Sequence, residues 1–327
     1  MKNIYLSVII TYHNSENYFY KLLNSLESQI NDKRVEVIFI DDGSTDRSID
    51  MVQAFQTLQP DRIRIIQHEN IGIAASRNKA IRLAVGKYIG FADTDDWIVP
   101  DMFTRMLNRA MDTEAEVVLC DFYKAFPAGK NRIIRVFDPG EHGSVPSNNK
   151  RFVFESGFSL WNKLFHRDLF IKNDLWFVEG ILHSDIAISP VLMAHSNKIS
   201  KVHSPLYFHH ERAESSVRSW HSDFNDIFRA MDVLQSVMPS GYEKELEYLV
   251  IRELLYMTLP SRCLNRTISR KHLNLTLDYL DTHFPSWKIN PYLKERGLFH
   301  RLYILLASKG YVSSICSYAQ MKKIFLR

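Results

Sequence analysis

The sequence predicts an α/β protein with a mostly parallel, doubly wound sheet flanked by helices, followed by a helical C-terminal region. Two observations support this prediction. Strand and helix patterns alternate over the first 120 residues, which favours repeated βα units and a parallel sheet. After about residue 222, apolar residues recur at helical spacing and the strand patterns stop.

The first 120 residues contain five predicted strands with helices between them. Short β-branched runs indicate the strands, and apolar residues three or four positions apart indicate the helices. Pro100 suits the first turn of the last of these helices. Strands are predicted over residues 6–11, 35–40, 62–67, 88–92 and 117–120, and helices over residues 18–30, 49–55, 74–85 and 101–111. Residues 126–151 are rich in Pro, Gly, Asn and Ser, which predicts a loop or insertion.

Composition excludes several classes of protein. The net charge of +4 over 327 residues is too small to imply nucleic-acid binding. Neither a GxGxxG nor a GxxxxGK[ST] motif occurs, which argues against dehydrogenases and P-loop enzymes. The three cysteines, Cys120, Cys263 and Cys316, lie far apart and predict neither a disulfide framework nor a zinc site. No apolar run reaches the ~20 residues that a membrane-spanning helix needs. Because the cysteines also show no disulfide pattern, we expect a protein of the reducing cytoplasm.

Three polar clusters follow predicted strands, over residues 11–14, 41–46 and 93–96. Ligands of open parallel sheets bind at the carboxyl ends of strands, so these clusters are candidate site residues. Asp93 and Asp95 stand two positions apart, and on extended backbone two such side chains would point the same way. Such paired carboxylates suit Mn²⁺ or Mg²⁺ bridging to a diphosphate. The alternative is a capped turn before a helix, but the position after a buried strand favours the metal.

The second cluster has the chemistry to hold a base. Asp42 is a candidate acceptor for an imide N–H such as uracil N3–H, and Thr11, at the end of the neighbouring strand, is a candidate to hold the same base. Asp46 is better interpreted as the N-cap of the following helix.

Six segments between about residues 5 and 215 form a characteristic series. These segments are residues 7–14, 41–46, 72–78, 91–97, 161–165 and 179–185. By their order and spacing, the sequence resembles the family 2 glycosyltransferases of the GT-A fold. Beyond residue 220 the resemblance is much weaker.

The resemblance implies roles in binding a UDP-sugar donor and a metal. Asp42 and Thr11 would recognise the uracil, and Arg77 would lie near the donor phosphates. Asp93 would lie near the ribose and the metal, and Asp95 would ligate the metal, Mn²⁺ or Mg²⁺.

The resemblance also implies residues around the transferred sugar. Asp96 would shape the donor-sugar site, and Asp185 matches the catalytic base of the family. The family usually has Glu just before this Asp, where Ser184 stands here. This substitution leaves the base in place but removes a carboxylate that would hold a donor or acceptor hydroxyl.

Four further residues are candidates with structural alternatives. In some relatives a His after the base completes the metal shell, which points to His209 or His210; the alternative is a packed His or one contacting phosphate. Trp161 offers a flat face to a sugar ring, and Lys163 suits a phosphate or acceptor contact. The alternative is an ordinary aromatic at a helix start with a solvated Lys.

We therefore expect an inverting transferase that moves a sugar from a UDP-sugar to a hydroxyl of a bacterial surface glycan, such as a lipopolysaccharide core, an O-antigen or a capsule, with a β-linked product. Glucosyl and galactosyl donors are candidates. A GT-A domain would cover residues 1–220, with nucleotide binding in about 1–120 and acceptor binding in about 150–220. The alternatives are a nucleotidyltransferase or a non-catalytic nucleotide- or glycan-binding relative.

The remaining residues, 221–327, are predicted to form a helical region with a basic tail. Residues 294–327 carry seven basic residues and one acidic residue among many apolar ones. Such a segment suits peripheral contact with an anionic membrane, where a lipid-linked acceptor glycan would be presented. The alternative is a pair of helices that cap the fold and leave a solvated basic face.

Overall fold

A computed structural model describes residues 3–126, 129, 131–146, 148–211 and 224–325, with side chains as far as Lys322. The chain divides into two units, Met1–Ala213 and Glu214–Arg327. The domain boundary predicted at residue 220 lies outside the described residues and stays a prediction.

The first unit begins with four parallel strands that alternate with helices, as predicted. All eight residues of the second strand are buried, which is typical of a parallel sheet covered on both faces. The strands are β1 (Leu6–Tyr12), β2 (Val35–Asp42), β3 (Ile63–His68) and β4 (Tyr88–Phe91). The helices are α1 (Phe19–Leu26), a 3₁₀ helix (Gln29–Asn31), α2 (Ser48–Gln56) and α3 (Ile73–Leu83).

The rest of the first unit extends this sheet with strands of both directions. Its strands are β5 (Trp97–Ile98), β6 (Val117–Ala125), β7 (Arg132–Ile134), β8 (Lys163–His166) and β9 (Ile199–His210). Its helices are α4 (Met102–Thr113), α5 (Phe152–Glu155), α6 (Asp168–Ile171) and α7 (Ser184–Ala194). The order is β3-β2-β1-β4-β8-β6-β9-β5, with β7 beside β6. Strand β8 runs antiparallel to β4 and β6, whereas β9 runs parallel to β6. The stretch predicted as a loop thus contains a strand, β7.

Helix α1 closes one side of the core. Its residue Phe19 is fully buried, with ring centroids 5.0 Å from Tyr12 and 6.0 Å from Phe39. Leu22 and Leu26 follow on the same face and are also buried. Burial of each such side chain stabilises the fold by about 1.5–3 kcal/mol. This packing holds the ends of β1 and β2, which carry site residues.

The second unit is helical, as predicted. Its helices are α8 (Asn225–Val237), α9 (Glu243–Ile251), a π-helical segment (Arg252–Thr258), α10 (Leu259–Leu264), α11 (Arg270–His283), a 3₁₀ helix (Trp287–Ile289), α12 (Pro291–Lys294), α13 (Leu298–Ser308) and α14 (Val312–Phe325). Within the part of the chain that the structure describes, no helix has the length and apolar character needed to span a membrane.

A disulfide joins Cys263 of α10 to Cys316 of α14, across 53 residues of sequence. The prediction that the three cysteines form no disulfide is therefore wrong. Spacing along the chain did not indicate that α10 and α14 pack together. The third cysteine, Cys120, is a buried free thiol in β6.

Candidate active site

The register of the sheet brings the predicted site residues to one edge. Ile9 of β1 lies opposite Phe91 of β4, and Thr11 lies opposite Ile40 of β2. The polar residues that end these strands therefore emerge side by side. In open parallel sheets, ligands bind outside this carboxyl edge.

Asp42, at the end of β2, holds the loop that leads into α3. Its two carboxylate oxygens accept the backbone N–H groups of Ile71 (2.8 Å) and Gly72 (3.0 Å), and the ring of His68 lies 3.5 Å away. Gly72 has φ +89°, a conformation that favours glycine. A carboxylate oxygen accepts more than one hydrogen bond, so Asp42 can also accept a hydrogen bond from the base of a nucleotide.

An open cavity of about 600 Å³ lies beside this loop. Ser44 and residues 67–70 line it, together with Asp41 and Gly43. His13 contacts the carbonyl oxygen of Asp42 through Nδ1 at 2.9 Å, and Asn14 accepts the N–H of Thr45 at 2.8 Å. The ends of β1 and β2 are thus tied together at the mouth of the cavity.

The turn after β4 carries the acidic cluster. The N–H of Asp96 donates to the carbonyl oxygen of Asp93, which closes the turn. The Asp93 carboxylate lies 3.3 Å from the Arg77 guanidinium and is 36% exposed. Partial loss of solvation raises the pKa of Asp93, Arg77 acts against this rise, and the neighbouring carboxylates of Asp96 and Asp95 add to it. Three carboxylates and one guanidinium thus meet at this turn.

Asp96 lies beneath this turn and anchors it to β9. It is 1% exposed and accepts the hydroxyl of Tyr207 (2.8 Å) and the backbone N–H of His210 (2.7 Å). The Tyr207 hydroxyl in turn accepts the N–H of Asp93 at 3.1 Å. The prediction that Asp96 shapes the donor-sugar site stays a prediction; the contacts seen here hold the turn in place.

The two candidate histidines lie in different surroundings. His209 stacks on Trp161 with centroids 5.2 Å apart, and its Nδ1 lies 3.5 Å from the Asp96 carboxylate. Burial lowers the pKa of His209, but the hydrogen bond and charge of Asp96 outweigh this and the pKa is raised. The ring of His210 instead lies 5.8 Å from that of Trp97. Because adjacent residues of a strand point to opposite faces, the two histidine rings lie on opposite faces of β9. The ring of His209 is the one that lies beside the acidic turn.

Trp161 is the middle ring of a stack. Its ring lies 4.3 Å from Tyr207 on one side and 5.2 Å from His209 on the other, both at 16°. Only 9% of the residue is exposed. The described contacts of Trp161 therefore position β9.

Lys163 lies inside the protein, not in solvent. It is 0% exposed, and its Nζ contacts the carbonyl oxygens of Ser156 (3.2 Å), Gly157 (3.2 Å) and Ser159 and the side chain of Asn162 (3.1 Å). Burial lowers the pKa of Lys163 to about 7, opposed by Cys120 and Asp185. The alternative of a solvated lysine is thus wrong. The role of Lys163 in contacting a phosphate or an acceptor stays a prediction.

Asp185 lies in the first turn of α7, and its residue is partly exposed, whereas Ser184 is buried. The segment that leads to α7 is held by Asn78, which exchanges two 2.9 Å hydrogen bonds with the backbone of Phe177. Asn78 follows Arg77 on α3. One helix therefore positions both the guanidinium beside Asp93 and the approach to Asp185. Asn78 ends the segment 72–78, but no role was predicted for it. Its position next to Arg77 was the one signal in the sequence that pointed to a role at the site.

Asp93, Asp95 and His209 offer the donor types that Mn²⁺ or Mg²⁺ accepts. The raised pKa of Asp93 indicates that a cation would stabilise the cluster. Over the described ranges, no group of three or more His, Cys, Asp or Glu side chains is placed to hold an ion unaided. Their role in holding a cation stays a prediction.

The mostly parallel sheet with its flanking helices defines an α/β protein of the GT-A type. The family model for glycosyl transferase family 2 matches residues 7–172. The chain therefore belongs to this family of sugar-transferring enzymes, and the resemblance inferred from the sequence is confirmed.

Two curated relatives and one solved structure illustrate the relationship. The putative glycosyltransferase EpsH of Bacillus subtilis is 33% identical over 66% of this chain and 63% of its own length. The minor teichoic acid biosynthesis protein GgaA of B. subtilis is 26% identical over 78% of this chain and 60% of its own length. The chain thus spans less than two thirds of either relative. The crystal structure of S. aureus TarS 1–349 in complex with UDP-GlcNAc has a TM-score of 0.76 at 18% identity, covering 98% of this chain and 92% of that one. This likeness confirms the fold class.

Proposed function

We propose that the protein is an inverting, metal-dependent glycosyltransferase that moves a sugar from a UDP-sugar to an acceptor hydroxyl. The observation that carries the proposal is the linkage through α3. Arg77 of this helix lies 3.3 Å from Asp93, and the next residue, Asn78, holds the segment leading to Asp185. Helix α3 thus holds both the guanidinium beside Asp93 and the start of the segment that leads to Asp185.

The donor is proposed to lie along the carboxyl edge of β1, β2 and β4. Thr11 and Asp42 would hold the uracil, Asp93 would lie near the ribose, and Arg77 would lie near the phosphates. The side-by-side ends of β1, β2 and β4 support this placement. The structural neighbour TarS is described in complex with UDP-GlcNAc, which supports a UDP-sugar as the donor class.

A divalent cation is proposed to assist departure of the UDP. Asp95, with Asp93 and His209, would hold it together with the diphosphate, and it would neutralise charge that grows on the leaving group. Arg77 adds a fixed positive charge beside the same turn.

Asp185 is proposed to remove the proton from the acceptor hydroxyl as that oxygen attacks the anomeric carbon. With one base and no protein nucleophile, a single displacement inverts the anomeric centre, as in inverting glycoside hydrolysis. An α-linked UDP-sugar would give a β-linked product. Trp161, stacked on both Tyr207 and His209, would form a wall of the site.

The acceptor is proposed to be a hydroxyl of a bacterial surface glycan or lipid-linked glycan. The relative GgaA is named for teichoic acid biosynthesis, which supports the class of surface polymer. Ser184 stands where a Glu is usual in the family. It would leave more room and less negative charge beside the proposed catalytic base, Asp185.

A donor panel tests the proposal. UDP-glucose, UDP-galactose and their N-acetyl forms are incubated with Mn²⁺ and candidate acceptors, and UDP release is measured for the native protein and for Asp185→Asn. We expect release from one donor, lost in the variant. Pyrophosphate release would indicate a nucleotidyltransferase instead, and release equal in both proteins would contradict the role of Asp185.

A further inference from the structure

Helix α13 carries apolar residues on two opposite faces. One face packs into the second unit and is formed by Tyr303, Ile304 and Ala307, all buried. The other face carries Leu298, Leu302 and Leu305, which are 80%, 50% and 51% exposed. A helix that is apolar on both faces is usually buried all round, so the outer face of α13 needs a partner.

The exposed residues form one continuous stripe. At about 100° per residue, Leu298, Leu302 and Leu305 fall within about 60° of the helix circumference. Arg301 lies at the margin of this stripe, and Lys309 follows the last helical residue in line with it; both are exposed. The stripe is therefore an apolar strip with cations at its border.

We propose that this outer face of α13 is a docking surface for an anionic lipid bilayer. The leucines would enter the boundary between headgroups and acyl chains, and Arg301 and Lys309 would contact anionic headgroups. Residues 294–327 contain a single acidic residue, Glu295, so little opposes this attraction.

Charge distinguishes this partner from a second copy of the chain. Two copies that met through the same strip would bring Arg301 and Lys309 of both chains into one interface. Like charges at such an interface oppose association, whereas an anionic surface complements them. The 11 residues of α13 are about 16 Å long, which suits a helix lying in the membrane surface and not one crossing it.

The inference is independent of sugar transfer, since vesicle binding is measured without donor or acceptor. The full chain is sedimented with vesicles of phosphatidylcholine alone and with vesicles in which phosphatidylglycerol replaces about 30% of that lipid, enough to give a negative surface potential. The test variants are Leu302→Ser with Leu305→Ser, and Arg301→Glu with Lys309→Glu. The matched control is Leu58→Ser with Leu83→Ser, which removes two exposed leucines from the first unit.

We expect binding to anionic vesicles only, at least about tenfold weaker in both test variants and unchanged in the control. High salt should weaken the binding of the native protein because it screens exposed charges. Circular dichroism confirms that each variant is folded. Equal binding by native protein and both test variants would overturn the proposal. So would absence of anionic-vesicle binding, or a native dimer that the leucine variant dissociates without any vesicle binding.

Discussion

The hydroxyl of Tyr207 donates a 2.8 Å hydrogen bond to the Asp96 carboxylate, although 111 residues separate the two in sequence. The same hydroxyl accepts the N–H of Asp93. One buried side chain of β9 therefore sets the turn that carries Asp93 and Asp95. The geometry proposed for the metal and diphosphate depends on a strand far along the chain.

Replacing Tyr207 with Phe should impair this turn without unfolding the protein. The variant removes a hydroxyl that both donates to Asp96 and accepts from Asp93, which should cost about 1–3 kcal/mol of unfolding free energy. We expect kcat/KM to fall about 10- to 100-fold as the turn loses its fixed position. Urea unfolding and UDP release measure the two effects.

Tyr88→Phe is the matched control. The Tyr88 hydroxyl is also buried and donates to the carbonyl oxygen of Ala115 at 3.0 Å, away from the acidic turn. This variant should lose stability and keep its turnover. Equal turnover losses in the two variants would contradict a specific role for Tyr207.

Removal of the metal or of Asp95 should abolish transfer. Asp95→Ala takes away one of few protein oxygens available to the cation, and EDTA takes away the cation itself. UDP release is measured with and without added Mn²⁺, with Asp50→Ala, an exposed residue of α2, as the control. Full turnover in EDTA would refute metal binding by Asp93 and Asp95.

Asp185→Asn should lower turnover by about 10²–10⁴-fold, because the amide keeps the size of the side chain but cannot take a proton. UDP affinity should survive, since Asp185 is proposed to face the acceptor. Calorimetry of UDP binding beside a turnover assay separates the two effects. Normal turnover in the variant would move the base elsewhere, to Glu179 or His183.

Lys163 should make stability depend on pH. Burial lowers its pKa to about 7 in the folded protein, whereas the ordinary value of 10.5 applies to the unfolded chain. Between these values the unfolded chain binds one more proton, so the free energy of unfolding should rise with pH, by up to about 1.4 kcal/mol per pH unit. Below about pH 7 this residue contributes no slope.

Urea unfolding of the native protein and of Lys163→Met at about pH 7, 8 and 9, within the window between the two pKa values, measures this slope. The native protein should gain stability relative to the variant as the pH rises. Parallel curves would mean that Lys163 keeps its proton, held by the oxygens of Ser156, Gly157 and Ser159.

The parallel half of the fold was predictable because each strand is local and apolar. Strands β1, β2 and β4 are almost entirely buried, and β3 is a short run that contains three isoleucines. The structure follows the predicted bounds of all four within two residues. Strand β8 was not predictable from its four residues, Lys163–His166, because its pairing with β4 and β6 depends on partners distant in sequence. Strand β5 has two residues and exists through its pairing with β9.

The sequence predicted which types of residue form the candidate site, but it did not predict the contacts that these residues make. Motif spacing indicated Asp93, Asp95 and Asp185, whose roles stay predictions. Nothing in the motif indicated that Asp96 would bind Tyr207 or that Lys163 would be buried. Such contacts depend on which side of a strand meets which loop.

The binding of UDP is the most direct test of the central claim, that the carboxyl edge of β1, β2 and β4 holds a UDP-sugar. Calorimetry compares UDP with CDP and GDP in the presence of Mn²⁺ and again in EDTA. We predict that UDP binds in preference to the other two and that EDTA weakens its binding. Equal affinity for the three nucleotides, or no binding of UDP at all, would contradict this placement of the donor.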